Sequence, residues 1–159
     1  MKVENEVLET PETRKHAATA GLARLLADTE VLALKARSSH WNVRGPWFPM
    51  LHEWYEGQYR ELAGAADRIA ERIRALGHIA PGSYGEFAQL ATVPDTCGAP
   101  EAREMLGRLL EGHEIAINTA TWVIPAAQAA GDEVTSDLIV QRMQAHQQAA
   151  WMLRSMLAD

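Results

Sequence analysis

Cysteine is almost absent from this chain, because Cys97 is the only one in 159 residues. One cysteine excludes a disulfide within the chain and fits a reducing compartment such as the cytoplasm. Long hydrophobic runs are absent too: nothing approaches the stretch of about 20 apolar residues that spans a membrane, and the first residues lack the apolar core of a signal peptide. We therefore expect a cytoplasmic protein with no membrane partner.

Positive charge is also scarce. Fifteen Lys and Arg residues stand against 21 Asp and Glu, which gives a net charge of −6 at pH 7. Such a surface does not attract nucleic acid without a local basic patch. Hydrophobic residues, in contrast, make up 47% of the chain, enough for a globular core at this length. We expect a short N-terminal tail, residues 1–11, and one domain, residues 12–159.

Apolar residues recur at helical spacing in four long segments, and no strand pattern competes with them. Between the second and third segments, Ser83 and Glu86 predict the capped start of one short helix. Four long helices with one long crossover predict an all-α, ferritin-like four-helix bundle. The long segments cover about residues 12–37, 47–76, 101–130 and 134–157.

Four side chains that can bind metal lie along one stripe of the second segment: His52, Glu56, Asp67 and Glu71. At about 100° per residue, the other three lie roughly 40°, 60° and 100° round the helix from His52. Each pair alone also fits an ordinary solvated helix face. The helix rises roughly 22 Å between His52 and Asp67, so the two pairs cannot share a metal within one chain.

The stripe is palindromic, since positions 52 and 71 share a midpoint with positions 56 and 67. Two copies packed antiparallel about that midpoint would bring His52 and Glu56 of one subunit against Asp67 and Glu71 of the other. This predicts a pair of metal sites at a two-fold interface. Imidazole nitrogen combined with carboxylate oxygens suits iron and, to a degree, zinc or manganese. The chain has no Glu-x-x-His motif, so an iron site inside one bundle is not supported.

Around this stripe the sequence reads Ser39-His40-Trp41-Asn42, Leu51-His52-Glu53 and, from Asp67 to Ile73, Asp-Arg-Ile-Ala-Glu-Arg-Ile. Together with residues 132–138 and 150–154, these motifs closely resemble the Dps family, the starvation-induced mini-ferritins. The resemblance covers roughly residues 12–157.

The resemblance implies a hollow homododecamer that oxidises Fe(II), preferably with hydrogen peroxide, at sites between two-fold partners and stores Fe(III) inside. His40, His52 and Glu56 match the ligands of one subunit, and Asp67 and Glu71 match those of its partner. Many members have Asp where this chain has Glu56, and the longer side chain can alter the second metal position.

The aromatic residues near these ligands leave two interpretations open. In the family, a tryptophan at the position of Trp41 lies near the iron and takes up a stray oxidising equivalent; an interface aromatic is the alternative. The others are expected to pack, Trp47, Trp54 and Tyr55 at the dimer interface and Trp122 and Trp151 in the core or shell.

Asp132, Glu133 and Asp137 open the fourth long helix. Acidic residues at a helix N-terminus are favoured by the helix dipole, which is a sufficient structural explanation. The resemblance offers another, because this segment lines a three-fold pore in the family, where negative charge would draw Fe(II) inward.

Two functions follow: a ferroxidase that stores iron and protects against oxidative damage, or a DNA-compacting protein at the nucleoid, as the family name suggests. The first ten residues carry Lys2 against Glu4, Glu6 and Glu9, and the sequence closes on Asp159. Neither end offers the several cationic contacts that phosphate binding needs. We therefore favour the enzyme and expect weak or absent DNA binding.

Overall fold

The computed structural model describes residues 10–158, and all regular structure in that range is helical. This agrees with the predicted bundle and its short helix in the crossover. The predicted tail, residues 1–11, lies almost wholly outside the described range. No helix within that range is long and apolar enough to cross a membrane. The helices are α1 (Pro11–Asn42), α2 (Phe48–Ala75), α3 (Tyr84–Leu90), α4 (Ala102–Ala129) and α5 (Glu133–Leu157).

The first helix, α1, continues to Asn42, past its predicted end near residue 37. Asn42 donates from Nδ2 to the carbonyl of Ser38 at 2.8 Å, and the Val43 N–H donates to the carbonyl of Ser39 at 2.9 Å. These bonds satisfy carbonyls of the last turn. Gly45, with φ of 105°, then reverses the chain. His40 consequently lies within the last turn of α1.

The crossover of residues 76–101 is held against α1 by a buried carboxylate. Asp28 accepts hydrogen bonds from the backbone N–H of Thr92 at 2.5 Å and of Val93 at 2.8 Å. Its other oxygen accepts from the Thr119 hydroxyl of α4 at 2.6 Å. Because these donors satisfy the carboxylate, its burial fixes the return path of the chain.

Within the crossover, α3 begins with the capping box that the sequence predicts. The Glu86 N–H donates to Ser83 Oγ at 3.3 Å, and the Glu86 carboxylate accepts from the Ser83 N–H at 3.0 Å. Phe87 packs against the core beneath, so α3 lies on the side of the α1–α2 hairpin.

The bundle core consists of two apolar clusters, one toward each end of the long helices. Buried polar residues stand between them along the chain, including His113, Arg142 and His146. Arg142, which is 2% exposed, forms a two-pronged ion pair with the Glu61 carboxylate of α2. The Nδ1 atoms of His113 and His146 are 3.0 Å apart. A polar layer therefore crosses the middle of the core.

Candidate metal centre

The last turn of α1 and the start of α2 bring two predicted ligands into contact. The imidazole rings of His40 and His52 stack with their centroids 3.7 Å apart and their planes 22° apart. The residues between them form a short turn, so two positions twelve apart in sequence become neighbours across the helical hairpin. His40 thus joins the stripe on α2, which helical spacing alone could not show.

The hydrogen bonds of this pair show which nitrogen of each ring is left to bind a ligand. His40 Nδ1 lies 2.8 Å from the carbonyl of His52, and His52 Nδ1 lies 2.9 Å from the carbonyl of His40. A carbonyl only accepts, so both Nδ1 atoms carry the hydrogen, and the lone pair of the imidazole in each ring is then on Nε2. A second nitrogen that donates to a carbonyl is the arrangement typical of metal-binding histidine.

The third predicted ligand of this half, Glu56, lies one turn beyond His52 and is partly buried. Its carboxylate forms an ion pair with Arg60, the next residue along the same face of α2. The Arg60 side chain is 71% exposed, so it can leave the carboxylate at little cost. Glu56 is therefore held in place by an exposed cation that a metal ion would replace.

The other predicted pair is not brought to these residues within one chain. Asp67 and Glu71 are exposed further along α2. Within residues 10–158, no three His, Cys, Asp or Glu side chains lie close enough to hold one metal ion. Asp67 instead lines an open groove of about 590 Å³ between the α1–α2 hairpin and the start of α3, with Tyr84 and Phe87 on its wall.

Two aromatic rings contact the histidines, and the sequence argument missed both. The Tyr59 ring meets His40 edge-on, with centroids 5.4 Å apart at 71°, and the Phe48 ring lies 5.0 Å from His52. Tyr59 stands seven residues after His52, which places both on one helix face. That spacing could have identified it. Trp41, by contrast, is 64% exposed.

The expectation for Tyr55 needs correction, and the core is excluded for two tryptophans that were expected in the core or the shell. Tyr55, expected at the dimer interface, is fully buried among the chain's own core residues. Trp122 and Trp151 are 85% and 62% exposed in the single chain, so neither packs in its core. The register of α2 explains Tyr55, because that residue lies on the face of the helix that enters the core, while His52 and Glu56 lie to one side and are only partly buried.

Of the three acidic residues at the start of α5, one links two helices and the other two are exposed. Asp132 caps α5 by accepting from the Thr135 N–H at 2.9 Å, and it forms an ion pair with Arg72 at 2.7 Å. Burial acts to raise the pKa of Asp132, but the hydrogen bonds from Thr135 and Arg72 outweigh it and lower the pKa below its usual range. Glu133 and Asp137 are exposed, and Asp137 accepts from Gln141.

A family model for the ferritin-like domain matches residues 19–159. The DNA protection during starvation protein of Porphyromonas gingivalis is 35% identical over 153 residues, which cover 96% of each chain. The chain belongs to the Dps family.

Two solved structures share the fold closely. The X-ray structure of Dps from Thermosynechococcus elongatus has a TM-score of 0.91 at 29% identity and covers 95% of this chain and 96% of that one. The Vibrio cholerae Dps protein, described as a member of a broad superfamily of ferritin-like diiron-carboxylate proteins, has a TM-score of 0.89 at 25% identity, with 99% of both chains covered.

A low temperature-induced protein of Nostoc sp. is 39% identical over 134 residues, which cover 83% of this chain and 75% of the relative. The ferritin-like family model, which matches residues 19–159, includes the segment from His40 to Glu71.

Proposed function

We propose that this protein is a ferroxidase and iron-storage mini-ferritin whose sites form between two-fold related subunits. Membership of the ferritin-like family supports iron storage and protection against oxidative damage in general terms. The finer proposal rests on one observation: the stacked pair His40–His52 leaves both Nε2 atoms for a ligand, yet within residues 10–158 no third His, Cys, Asp or Glu side chain lies close enough to complete a metal site with it.

The chemistry of the donor set fits iron as the substrate. Two imidazole nitrogens and three carboxylates, from His40, His52, Glu56, Asp67 and Glu71, combine borderline and hard ligands, which suits both Fe(II) and Fe(III). The carboxylates also compensate the growing positive charge when Fe(II) becomes Fe(III). The backbone bonds to both Nδ1 atoms hold the rings in place, so the ligands need little reorganisation when iron binds.

The partner's contribution is argued from the exposed half of α2. Asp67 and Glu71 mirror Glu56 and His52 about the helix midpoint, so an antiparallel copy of α2 would present them to the histidine pair. The groove beside Asp67 is lined by Phe87 and by Tyr84, which is 85% exposed at the start of α3. A second copy is the occupant that would cover these apolar side chains and complete the ligand set.

In the proposed reaction, hydrogen peroxide takes one electron from each of two Fe(II) ions, and two protons complete two molecules of water. The chain's own residues bind and orient the ions, while Arg60 moves away from Glu56. We further propose that the dimers assemble into a homododecamer and that Fe(III) is stored in its interior.

The proposal predicts that Asp67→Asn with Glu71→Gln lowers the rate of Fe(II) oxidation at least about tenfold to a hundredfold, because two anionic ligands are lost. Absorbance after addition of peroxide to Fe(II)-loaded protein measures that rate. Glu12→Gln with Glu111→Gln removes the same charge from exposed sites on α1 and α4 and should leave the rate unchanged.

Mixed assemblies test whether the site is shared. His40→Ala with His52→Ala disables one half, and Asp67→Asn with Glu71→Gln disables the other. In a dimer that contains one subunit of each kind, one of the two sites regains all its ligands, so random mixing should restore about a quarter of the sites. If mixing restores no activity, or if light scattering shows a stable monomer at micromolar concentration, the intersubunit site is wrong.

A further inference from the structure

A further histidine pair lies at the opposite end of α2 from His40 and His52. His16 is exposed on the second turn of α1, and His78 follows the end of α2 and is partly buried. Their ring centroids are 5.8 Å apart, and the ring planes are inclined at 57°. Helix α2 rises roughly 35 Å between His52 and its end at Ala75, so this pair is separate from the proposed iron site.

The end of α2 holds the backbone of His78 in a fixed position beside α1. Gly77, whose φ is 88°, donates its N–H to the Arg74 carbonyl at 3.0 Å. The His78 N–H donates to the Ile73 carbonyl at 3.2 Å. These two bonds form the Schellman motif, which closes many helices at a glycine. Both histidines therefore extend from well-defined backbone, His16 from a helix and His78 from a helix end.

The ring nitrogens of these two histidines are left to bind a ligand. Within residues 10–158, no backbone or side-chain group forms a hydrogen bond with either ring. A neutral imidazole has one nitrogen with a lone pair, so the pair offers two lone pairs that no protein group uses. Because the torsion that turns a histidine ring is broad, the two nitrogens can turn toward one point without a change in the backbone.

The separation of the rings matches that of two imidazoles on one metal ion. An imidazole nitrogen lies about 2.0–2.1 Å from zinc, which places the ring centre roughly 3 Å from the ion. Two ring centres are then roughly 5 Å apart at the tetrahedral angle, and roughly 6 Å apart when the nitrogens face each other across the ion. The observed 5.8 Å lies between these limits.

We propose that His16 and His78 together bind one divalent transition-metal ion, with zinc preferred over Fe(II). Two imidazoles without a carboxylate suit zinc and copper, and both of these ions bind nitrogen ligands more tightly than Fe(II) does. Within residues 10–158, no third His, Cys, Asp or Glu side chain is close enough to form a three-ligand group. Water therefore completes the coordination, and the ion exchanges with the solution.

A bound ion would also join two helices, because one ligand stands on α1 and the other follows α2. The bond would close the N-terminal part of α1 onto the C-terminal end of α2. Binding requires the folded arrangement of both ligands, so the ion should stabilise the folded chain by mass action. The same site thus predicts both a binding signal and a rise in the temperature of unfolding.

The test is calorimetric titration of the assembled protein with Zn²⁺ at neutral pH. The chain used carries His40→Ala and His52→Ala, so that the proposed iron site has lost both imidazoles. We expect about one Zn²⁺ per chain on the remaining pair. His16→Gln and His78→Gln should each weaken that binding about a hundredfold, since either change removes the chelate. The two changes together should cost little more than one.

Matched variants separate chelation from a general effect of substitution. Ala17→Gln and Ile79→Gln introduce the same side chain at exposed neighbouring positions and should leave zinc binding unchanged. Electron paramagnetic resonance with one Cu²⁺ per chain should show coupling to two ring nitrogens, and to one nitrogen after His16→Gln or His78→Gln. Mere contact between the rings would produce neither result.

The outcome that overturns the proposal is equally defined. If each single variant weakens Zn²⁺ binding only a few-fold and the two losses add, the histidines act separately and form no site. Zinc binding that is unchanged in the double variant, or that leaves the unfolding temperature where it was, would also refute it. In the otherwise unchanged protein, His16→Gln should lose one Zn²⁺ per chain and keep its rate of Fe(II) oxidation, which separates this site from the proposed ferroxidase.

Discussion

At the scale of single residues, two pairs of histidines differ in how their ring nitrogens are hydrogen-bonded. His40 and His52 satisfy their Nδ1 atoms on backbone carbonyls and keep Nε2 for a ligand. His113 and His146 instead bond to each other through Nδ1, and within the part of the chain that the structure describes their buried Nε2 atoms have no partner. The first pair is the one that we propose binds a metal ion, whereas the second is poorly suited to carry positive charge.

The buried pair predicts acid sensitivity. Burial, then repulsion from His146, lowers the pKa of His113 to about 3, and burial with the charge of Arg142 lowers the pKa of His146 to about 3, against an ordinary value of 6.5. The unfolded chain then binds more protons between those values, so stability present above pH 6.5 is lost as pH falls toward 3. At about 1.4 kcal/mol per unit, the loss at pH 4 is on the order of a few kcal/mol.

Urea unfolding followed by circular dichroism from pH 7 to pH 4 measures that loss. His113→Leu with His146→Met removes both partners together and should flatten the dependence on pH, since neither imidazole remains to be charged. His146→Leu alone leaves His113 Nδ1 without its partner and should cost about 1–3 kcal/mol at neutral pH. An equally steep pH dependence in the double variant would assign the acid sensitivity to other groups.

At the scale of helices, the start of α5 combines a structural carboxylate with exposed ones. Asp132 caps the N-terminus of α5 and links it to Arg72 of α2 by an ion pair, and the Asp132 side chain is only 13% exposed. Asp137 has no such link to another helix among the described residues. The pore function that the family resemblance suggests for this segment therefore fits the exposed acids Glu133 and Asp137 better than Asp132.

Substitutions should separate the two roles. Asp132→Ala removes the cap and the ion pair and should lower the stability by about 1–2 kcal/mol, measured by thermal unfolding. Asp137→Asn should leave the unfolding temperature unchanged and slow iron uptake at low ionic strength, with the difference shrinking as salt is added. If Asp137→Asn takes up iron as fast as the unchanged protein at low salt, Asp137 has no role in iron entry and serves only the helix dipole.

At the scale of the whole molecule, net charge governs what the assembly can bind. Each copy adds a net charge of −6 at pH 7, and the first ten residues hold three glutamates against one lysine. The relative from Porphyromonas gingivalis is named for DNA protection. Protection by removal of iron and peroxide needs no contact with DNA, so the two properties can be tested apart.

We predict weak or absent DNA binding at physiological salt, because too few phosphates can be neutralised to release counterions. Gel shifts with duplex DNA from about 50 to 150 mM salt measure this, since a complex held by few phosphate contacts disappears within that range. Complexes that persist at the higher concentration would require a basic groove built from several subunits and would restore DNA compaction beside iron oxidation.

The sequence by itself determined the helices and most of the proposed ligand set. Helical spacing located four long helices, Ser83 and Glu86 located α3, and the stripe on α2 showed that its ligands cannot close within one chain. These features depend on residues of one helix or one helix end, where spacing along the chain equals position in space.

Only the tertiary structure decided how residues of different helices meet. The stacking of His40 on His52 depends on the length of α1 and on the turn that follows it, and the free nitrogens depend on carbonyls across that turn. Packing likewise placed Tyr55 in the core and joined His113 of α4 to His146 of α5. Such contacts arise from the rotation and register of whole helices against one another, which local spacing does not specify.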